Sequence, residues 1–141
     1  MKKGFTLLEL VVVIIIIGIL ATLGIQQYGS MVERSRGAEA RTILGQLRTA
    51  AAAYYMKNGN DATGFDNTAA GIGTGDDQIP SACRQSHYFS YNITGVNPNN
   101  VQMTATRCAA NGKTPNAVVN TLVLLSFMAG GGDTWTSTYG Y

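Results

Sequence analysis

The chain has 141 residues, 45% hydrophobic and only 13% charged, with 17 glycines against 3 prolines, which is the size of one ordinary domain. Its formal charge is +2, but Lys2 and Lys3 supply two of the ten cations; the other eight balance the eight acids and leave no basic cluster to follow a phosphate backbone. This argues against a disordered charged tail, a coiled coil along the whole chain, a polytopic membrane protein, and nucleic acid as a main partner.

Residues 10–32 carry no charge, and Leu10 to Ile25 (LVVVIIIIGILATLGI) has one polar side chain, Thr22. As a helix the uncharged stretch is roughly 35 Å long, enough to cross a hydrocarbon core about 30 Å thick. Lys2 and Lys3 precede it and no comparable basic cluster follows, so the positive-inside bias places the N-terminus in the cytoplasm and the rest outside. A secretory signal peptide or a plain single-pass anchor would satisfy these facts. Glu9 fits neither. It follows Phe5, Leu7 and Leu8 within the apolar run, and a carboxylate deep in a bilayer costs on the order of 2.5–3.5 kcal/mol. Such an acid calls for a partner. Cutting between Gly4 and Phe5 would create one, because a new α-amino group with a pKa near 7.7–8.0 is cationic at neutral pH.

The stretch Lys2-Lys3-Gly4-Phe5-Thr6-Leu7-Leu8-Glu9 and the apolar run behind it resemble the class III signal of type IV pilins and the related type II secretion pseudopilins. The resemblance is strong over residues 1 to about 30 and is one of architecture beyond. It implies that a prepilin peptidase cuts after Gly4 and N-methylates Phe5, and that Glu9 neutralises the Phe5 amine of another subunit during assembly. It also implies a homo-oligomeric helical filament, with an inner-membrane assembly platform and a cytoplasmic ATPase as indirect partners. Before assembly the subunit would sit in the inner membrane, in contact with lipid; afterwards it would be extracellular. One feature departs from the pattern. Many pilins carry a proline shortly after this segment, whereas here Gly24-Ile25-Gln26-Gln27-Tyr28 keeps every backbone donor, so no obligatory kink is expected. Gly18 and Gly24 each weaken the helix by roughly 1 kcal/mol relative to alanine.

Past residue 32 the apolar residues become periodic. Gly37, Ala40, Ile43, Leu44, Leu47, Ala50, Ala51, Tyr54 and Tyr55 recur at spacings of three and four, with Glu33, Arg34, Arg36, Glu39, Arg41 and Arg48 mainly on the other surfaces. This predicts one face of an amphipathic helix, ending at Asn58-Gly59-Asn60. From about Phe5 to Lys57 it would span roughly 80 Å. Its first half is apolar all round and must be buried against other helices once it leaves lipid.

Residues 58–85 are rich in Gly, Asn, Asp, Thr and Ala without periodicity and read as a long surface connection. Gly71-Ile72-Gly73-Thr74-Gly75 lacks the spacing of a phosphate-binding loop. Asp76 and Asp77, with Asp66 or Asp61, are candidate oxygen ligands for Ca²⁺ or simply solvated acids. Strands are expected at His87 to Thr94, Val101 to Arg107, Val118 to Met128 and Thr134 to Tyr139, with turns around Gly95 to Asn100, Ala109 to Asn116 and Ala129 to Asp133. Short links between sequential strands favour an antiparallel meander whose apolar face covers the periodic half of the helix. Trp135 and the C-terminal tyrosines read as packing or subunit-contact residues.

Cys83 and Cys108 both lie beyond the membrane segment, where oxidants act, and a disulfide between them is the natural reading. A metal pair is disfavoured because His87 is the only histidine. His87 beside Ser86 or Ser90 lacks a motif-defined acid, so no enzyme activity and no cofactor are expected.

The expected fold is α+β, a long N-terminal helix packed on a small antiparallel sheet. The expected division is a leader at 1–4, a membrane and filament-core helix at 5–32, and a head at 33–141 made of helix 33–57, loop 58–85 and sheet 87–139. The expected function is a type IV pilus subunit processed by prepilin peptidase and assembled through its N-terminal helix. The alternative is a type II secretion pseudopilin forming a periplasmic pseudopilus.

Overall fold

The computed structural model describes residues 4–141. Lys2 and Lys3, which carry the basic part of the expected leader, lie outside the described residues. The architecture is α+β: one long helix, α1 (Leu7–Lys57), followed by β1 (Ile72–Gly73), β2 (Ile79–Pro80), β3 (Phe89–Asn97), β4 (Asn100–Arg107), β5 (Thr121–Phe127) and β6 (Gly132–Ser137). The last four strands form one antiparallel sheet in the order β3-β4-β5-β6, the expected meander. Contacts divide the chain into two compact units, one ending at Ser35 and the other comprising Arg36–Tyr141.

The described part of the first unit is helical from Leu7 onward. Its apolar side chains are exposed throughout, from Phe5 and Leu7 to Leu23 and Ile25, and it is long and apolar enough to cross a membrane. α1 continues through Gly18 and Gly24 and past Tyr28 without a break, as the retained backbone donors predict. Thr22 returns its hydroxyl to the Gly18 carbonyl at 2.6 Å, so the one polar side chain of the run satisfies itself within the helix.

In the second unit, α1 buries Ala40, Leu44, Leu47 and Ala51, spaced by four, three and four residues. Opposite them the sheet supplies Phe89 and Tyr91 from β3, Val101, Met103 and Ala105 from β4, and Leu122 and Leu124 from β5. β4 alternates buried and half-buried along its whole length, the period of a strand with one face in a core. α1 stops where the sequence predicts. Gly59 and Asn60 take left-handed backbones, φ 71° and 65°, and the Asn60 N–H donates to the Tyr55 carbonyl at 3.0 Å, a helix-ending return bond.

Four expectations shift. β3 runs through Gly95 to Asn97 instead of ending at Thr94, because a bulge between Ile93 and Gly95 takes the glycine into the strand. His87 precedes that strand in a turn, its N–H on the Arg84 carbonyl. β5 begins at Thr121, leaving Val118 and Val119 outside the sheet; the Asn116 carboxamide oxygen accepts the Val118 N–H at 3.3 Å and holds a turn there. β6 lies at Gly132–Ser137, two residues earlier than expected.

The segment 58–85 is more than a surface connection. Ala62, Phe65, Ala70 and Ile72 are buried in the core, the Phe65 ring centroid lies 5.5 Å from that of Tyr54, and β1 and β2 pair in parallel, Ile72 with Ile79. The glycine cluster presents carbonyls, not amides: Arg84 donates to Gly75 O at 2.6 Å and Gly73 O at 2.8 Å, the reverse of a phosphate cradle.

The charges of this unit are mostly used internally. Arg107 is 1% exposed and donates to the carbonyls of Tyr88 at 3.0 Å and Thr114 at 2.6 Å, which satisfies a cation that could not otherwise be buried. Arg48 pairs with Asp133 at 2.5 Å. Partial burial pushes the Asp133 carboxyl up, but the Ser126 hydroxyl at 2.6 Å and the Arg48 guanidinium outweigh it and hold it below the usual carboxylate range. Burial, with the nearby Glu39 carboxylate, pushes the Tyr91 hydroxyl far above its ordinary range.

Candidate functional site

The residues singled out at the N-terminus sit together at the start of α1. Gly4, Phe5 and Thr6 precede the helix, and Phe5 is 81% exposed. A Cβ built on Gly4 meets nothing within 4 Å. Thr6 is the N-cap. Its hydroxyl oxygen accepts the Glu9 N–H at 3.2 Å, while one Glu9 carboxylate oxygen accepts the Thr6 N–H at 2.8 Å and the Thr6 hydroxyl at 2.9 Å. This is a reciprocal capping box, Thr-x-x-Glu, which satisfies two of the backbone donors that open any helix.

Thr6 is the residue that the sequence reading passed over. Its signal was present as a threonine three positions before a glutamate at the head of an apolar run. The geometry also qualifies the argument about the buried acid. Within one chain Glu9 already has partners, though uncharged ones, and its second carboxylate oxygen accepts nothing among the described residues. Among the described residues these partners are all uncharged, and Glu9 stands four residues from the chain position where cleavage after Gly4 would create an ammonium group.

The other candidates lie in the second unit. Cys83 and Cys108 are joined, with Cα atoms 5.6 Å apart, and no described cysteine is free. The bridge ties the end of segment 58–85 to the residue following β4. Gly112 packs against it so closely that any Cβ there would overlap the Cys108 side chain. The Ser86 hydroxyl is 2.9 Å from His87 Nδ1. Asp61 and Asp66 cap turns of their own segment, accepting the N–H groups of Thr63 and Ala69 at 2.7 and 2.8 Å. Among the described residues no group of three or more His, Cys, Asp or Glu side chains is placed to hold a metal ion. Trp135 is half-buried under the Arg41 guanidinium, 5.3 Å from its ring centroid.

Comparison with known proteins bears on the first of these places. Residues 1–25 match the family model described as the prokaryotic N-terminal methylation motif. The chain is 45% identical over 71 residues to fimbrial protein EcpC of Eikenella corrodens, covering 50% of this chain and 45% of that protein. It is 48% identical over 50 residues to the type IV major fimbrial protein FimA of Dichelobacter nodosus, covering 36% of this chain and 32% of that one. It is 38% identical over 72 residues to the type IV major pilin protein PilE of Neisseria gonorrhoeae, covering 51% and 42%. The matches thus span less than half the length of these relatives. No solved structure matches the chain.

Proposed function

We propose that this chain, which carries the N-terminal methylation motif of type IV pilins, is a structural subunit of a type IV pilus, cut between Gly4 and Phe5, methylated at Phe5 and polymerised through its N-terminal helix. The observation that carries the reading is the start of α1: an exposed Gly4-Phe5 junction, a capped helix terminus, and an acid in the first turn, directly before the uncharged residues 10–32. Likeness to fimbrial proteins of other bacteria supports it.

The mechanism follows from two costs. In lipid the Glu9 charge is unfavourable by about 2.5–3.5 kcal/mol, and hydrogen bonds from Thr6 relieve it without neutralising it. The amine freed at Phe5 is cationic at neutral pH and lies four residues from Glu9 of its own chain; in a staggered bundle it meets Glu9 of a neighbour. Pairing them in a low-dielectric helix bundle removes both penalties and fixes the stagger of one subunit on the next. The apolar side chains exposed along the first unit exchange lipid for one another, so the transfer from membrane to fibre costs little hydrophobic free energy. Before assembly the protein is a single-pass inner-membrane protein with its N-terminus in the cytoplasm, and a membrane platform and an ATPase drive its extraction. The role is structural, not enzymatic.

The experiment is a substitution at Gly4. Because a side chain there meets nothing in the fold, Gly4→Leu leaves the head intact and reads processing alone. The expected result is a chain that keeps its leader by intact mass and yields no surface fibres. Normal cleavage and fibre yield with leucine at this position would contradict the peptidase reading.

A further inference from the structure

The segment between β4 and β5 is held in place along its length. Lys113 N–H donates to the His87 carbonyl at 2.9 Å, Asn116 N–H to the Cys108 carbonyl at 3.0 Å, and Arg107 clamps Thr114 O; the disulfide anchors its start. Yet this tied-down segment presents two adjacent valines outward, Val118 at 59% and Val119 at 57% exposure. A loop so fixed has already lost the conformational freedom that binding would otherwise remove.

Its neighbours define one end of the second unit. Thr121, two residues on, exchanges bonds with Thr138, its N–H on the Thr138 hydroxyl at 2.9 Å and the Thr138 N–H on its carbonyl at 3.1 Å. Tyr139, the residue after Thr138, is itself 39% exposed. Its ring lies 5.5 Å from Tyr141, and the Tyr141 ring is seated directly on Gly37, where any side chain would overlap it. Gly37 is the second residue of this unit, five residues after the uncharged run ends at Val32. The chain thus enters the unit at the end that carries the exposed valines. Cations belong to the same end: Lys113 and Arg36 stand 5.0 and 5.4 Å from the Tyr88 ring centroid. Its acid, Glu39, accepts the Tyr88 N–H at 3.0 Å.

We propose that Val118, Val119 and Tyr139 form a lipid-contacting edge that seats the head on an anionic bilayer surface while the apolar helix is inserted and before assembly. The inference rests on the membrane-inserted state of the proposed function. Small aliphatic side chains beside a tyrosine and a lysine match the boundary between headgroups and acyl chains, with Lys113 toward lipid phosphate. A patch this small binds weakly alone. The short tether to a membrane span makes the contact intramolecular, so the high effective concentration turns a weak affinity into occupancy. The edge would hold the head in a defined attitude on the membrane until extraction.

The test uses the full chain in nanodiscs of equimolar phosphatidylcholine and phosphatidylglycerol, spin-labelled at Val119→Cys or, as a control on the outward face of the sheet, at Thr104→Cys. With the native cysteines bridged, the added thiol is the one labelled. The expected result is several-fold less collision with a water-soluble nickel chelate, and more with oxygen, at position 119 than at 104. Equal chelate exposure at both positions in chains that stay with the disc overturns the edge but not the membrane insertion. Shielding of position 119 from both chelate and oxygen means a protein partner and also overturns it. Failure of the chain to enter the disc overturns both the edge and the proposed function.

Discussion

Glu9→Gln is expected to abolish fibre assembly while leaving the chain folded and membrane-inserted, and Glu9→Ala to do the same. The pair separates two roles that alanine alone confounds. Glutamine keeps an acceptor for the Thr6 N–H and hydroxyl, both now held by one Glu9 oxygen, so the capping box survives. What glutamine lacks is the charge that would meet an ammonium group. If Glu9 acted only as the third-position member of the capping box, glutamine would be tolerated and alanine would cost about 0.3–1.5 kcal/mol of local helix stability. If it pairs with the Phe5 amine, both fail in proportion to a lost ion pair in a low-dielectric bundle, several kcal/mol per subunit repeated along the fibre. Sheared-fibre yield, normalised to membrane-fraction protein, decides between them. Normal yield from the glutamine variant would overturn the pairing.

The second large effect falls on the head. Replacing Cys83 and Cys108 together by serine is expected to lower its stability by about 3–4 kcal/mol, the chain-entropy value for a closed loop of this length; the sequence separation is 25. The bridge fixes the segment after β4 through which Arg107 satisfies its buried charge, its guanidinium reaching Tyr88 and Thr114 on either side. Loosening that segment takes the Thr114 carbonyl from the acceptors of a buried cation. Denaturant unfolding followed by the fluorescence of Trp135, the one tryptophan of the sequence, measures the loss in this unit alone. A change within roughly 0.5 kcal/mol would mean that packing, not the bridge, holds the segment.

What could be read in advance follows the strength of the local signal. The change from a continuous apolar run to three-and-four spacing near residue 32 is a property of many residues at once. The helix, its buried face and its end at Asn58-Gly59-Asn60 were accordingly legible, as was the alternation of β4. Features resting on one residue against its neighbours were not. Phe65 and Ala62 are isolated apolar residues in a polar stretch, and only the shape of the core draws them in. Arg107 closes a strand pattern as if solvated, but the carbonyls that accept it come from distant turns. Val118 and Val119 have strand propensity that the Asn116 turn overrides. Gly95 reads as a turn because its bulge depends on the register of a partner strand. At the N-terminus, Gly4, Phe5 and Glu9 fall within one short stretch, Lys2 to Glu9, and were all named; Thr6 belongs to the same stretch, and its hydrogen bonds assign it a role.

The measurement that bears most directly on the account is the intact mass of this protein in filaments sheared from the cell surface. The account predicts a chain beginning at Phe5, heavier by the net CH2 of one N-methylation and lighter by the two hydrogens of the Cys83–Cys108 bridge, abundant in the sheared fraction. An uncut chain beginning at Met1, or a processed chain absent from the sheared fraction and confined to the cell envelope, would contradict it.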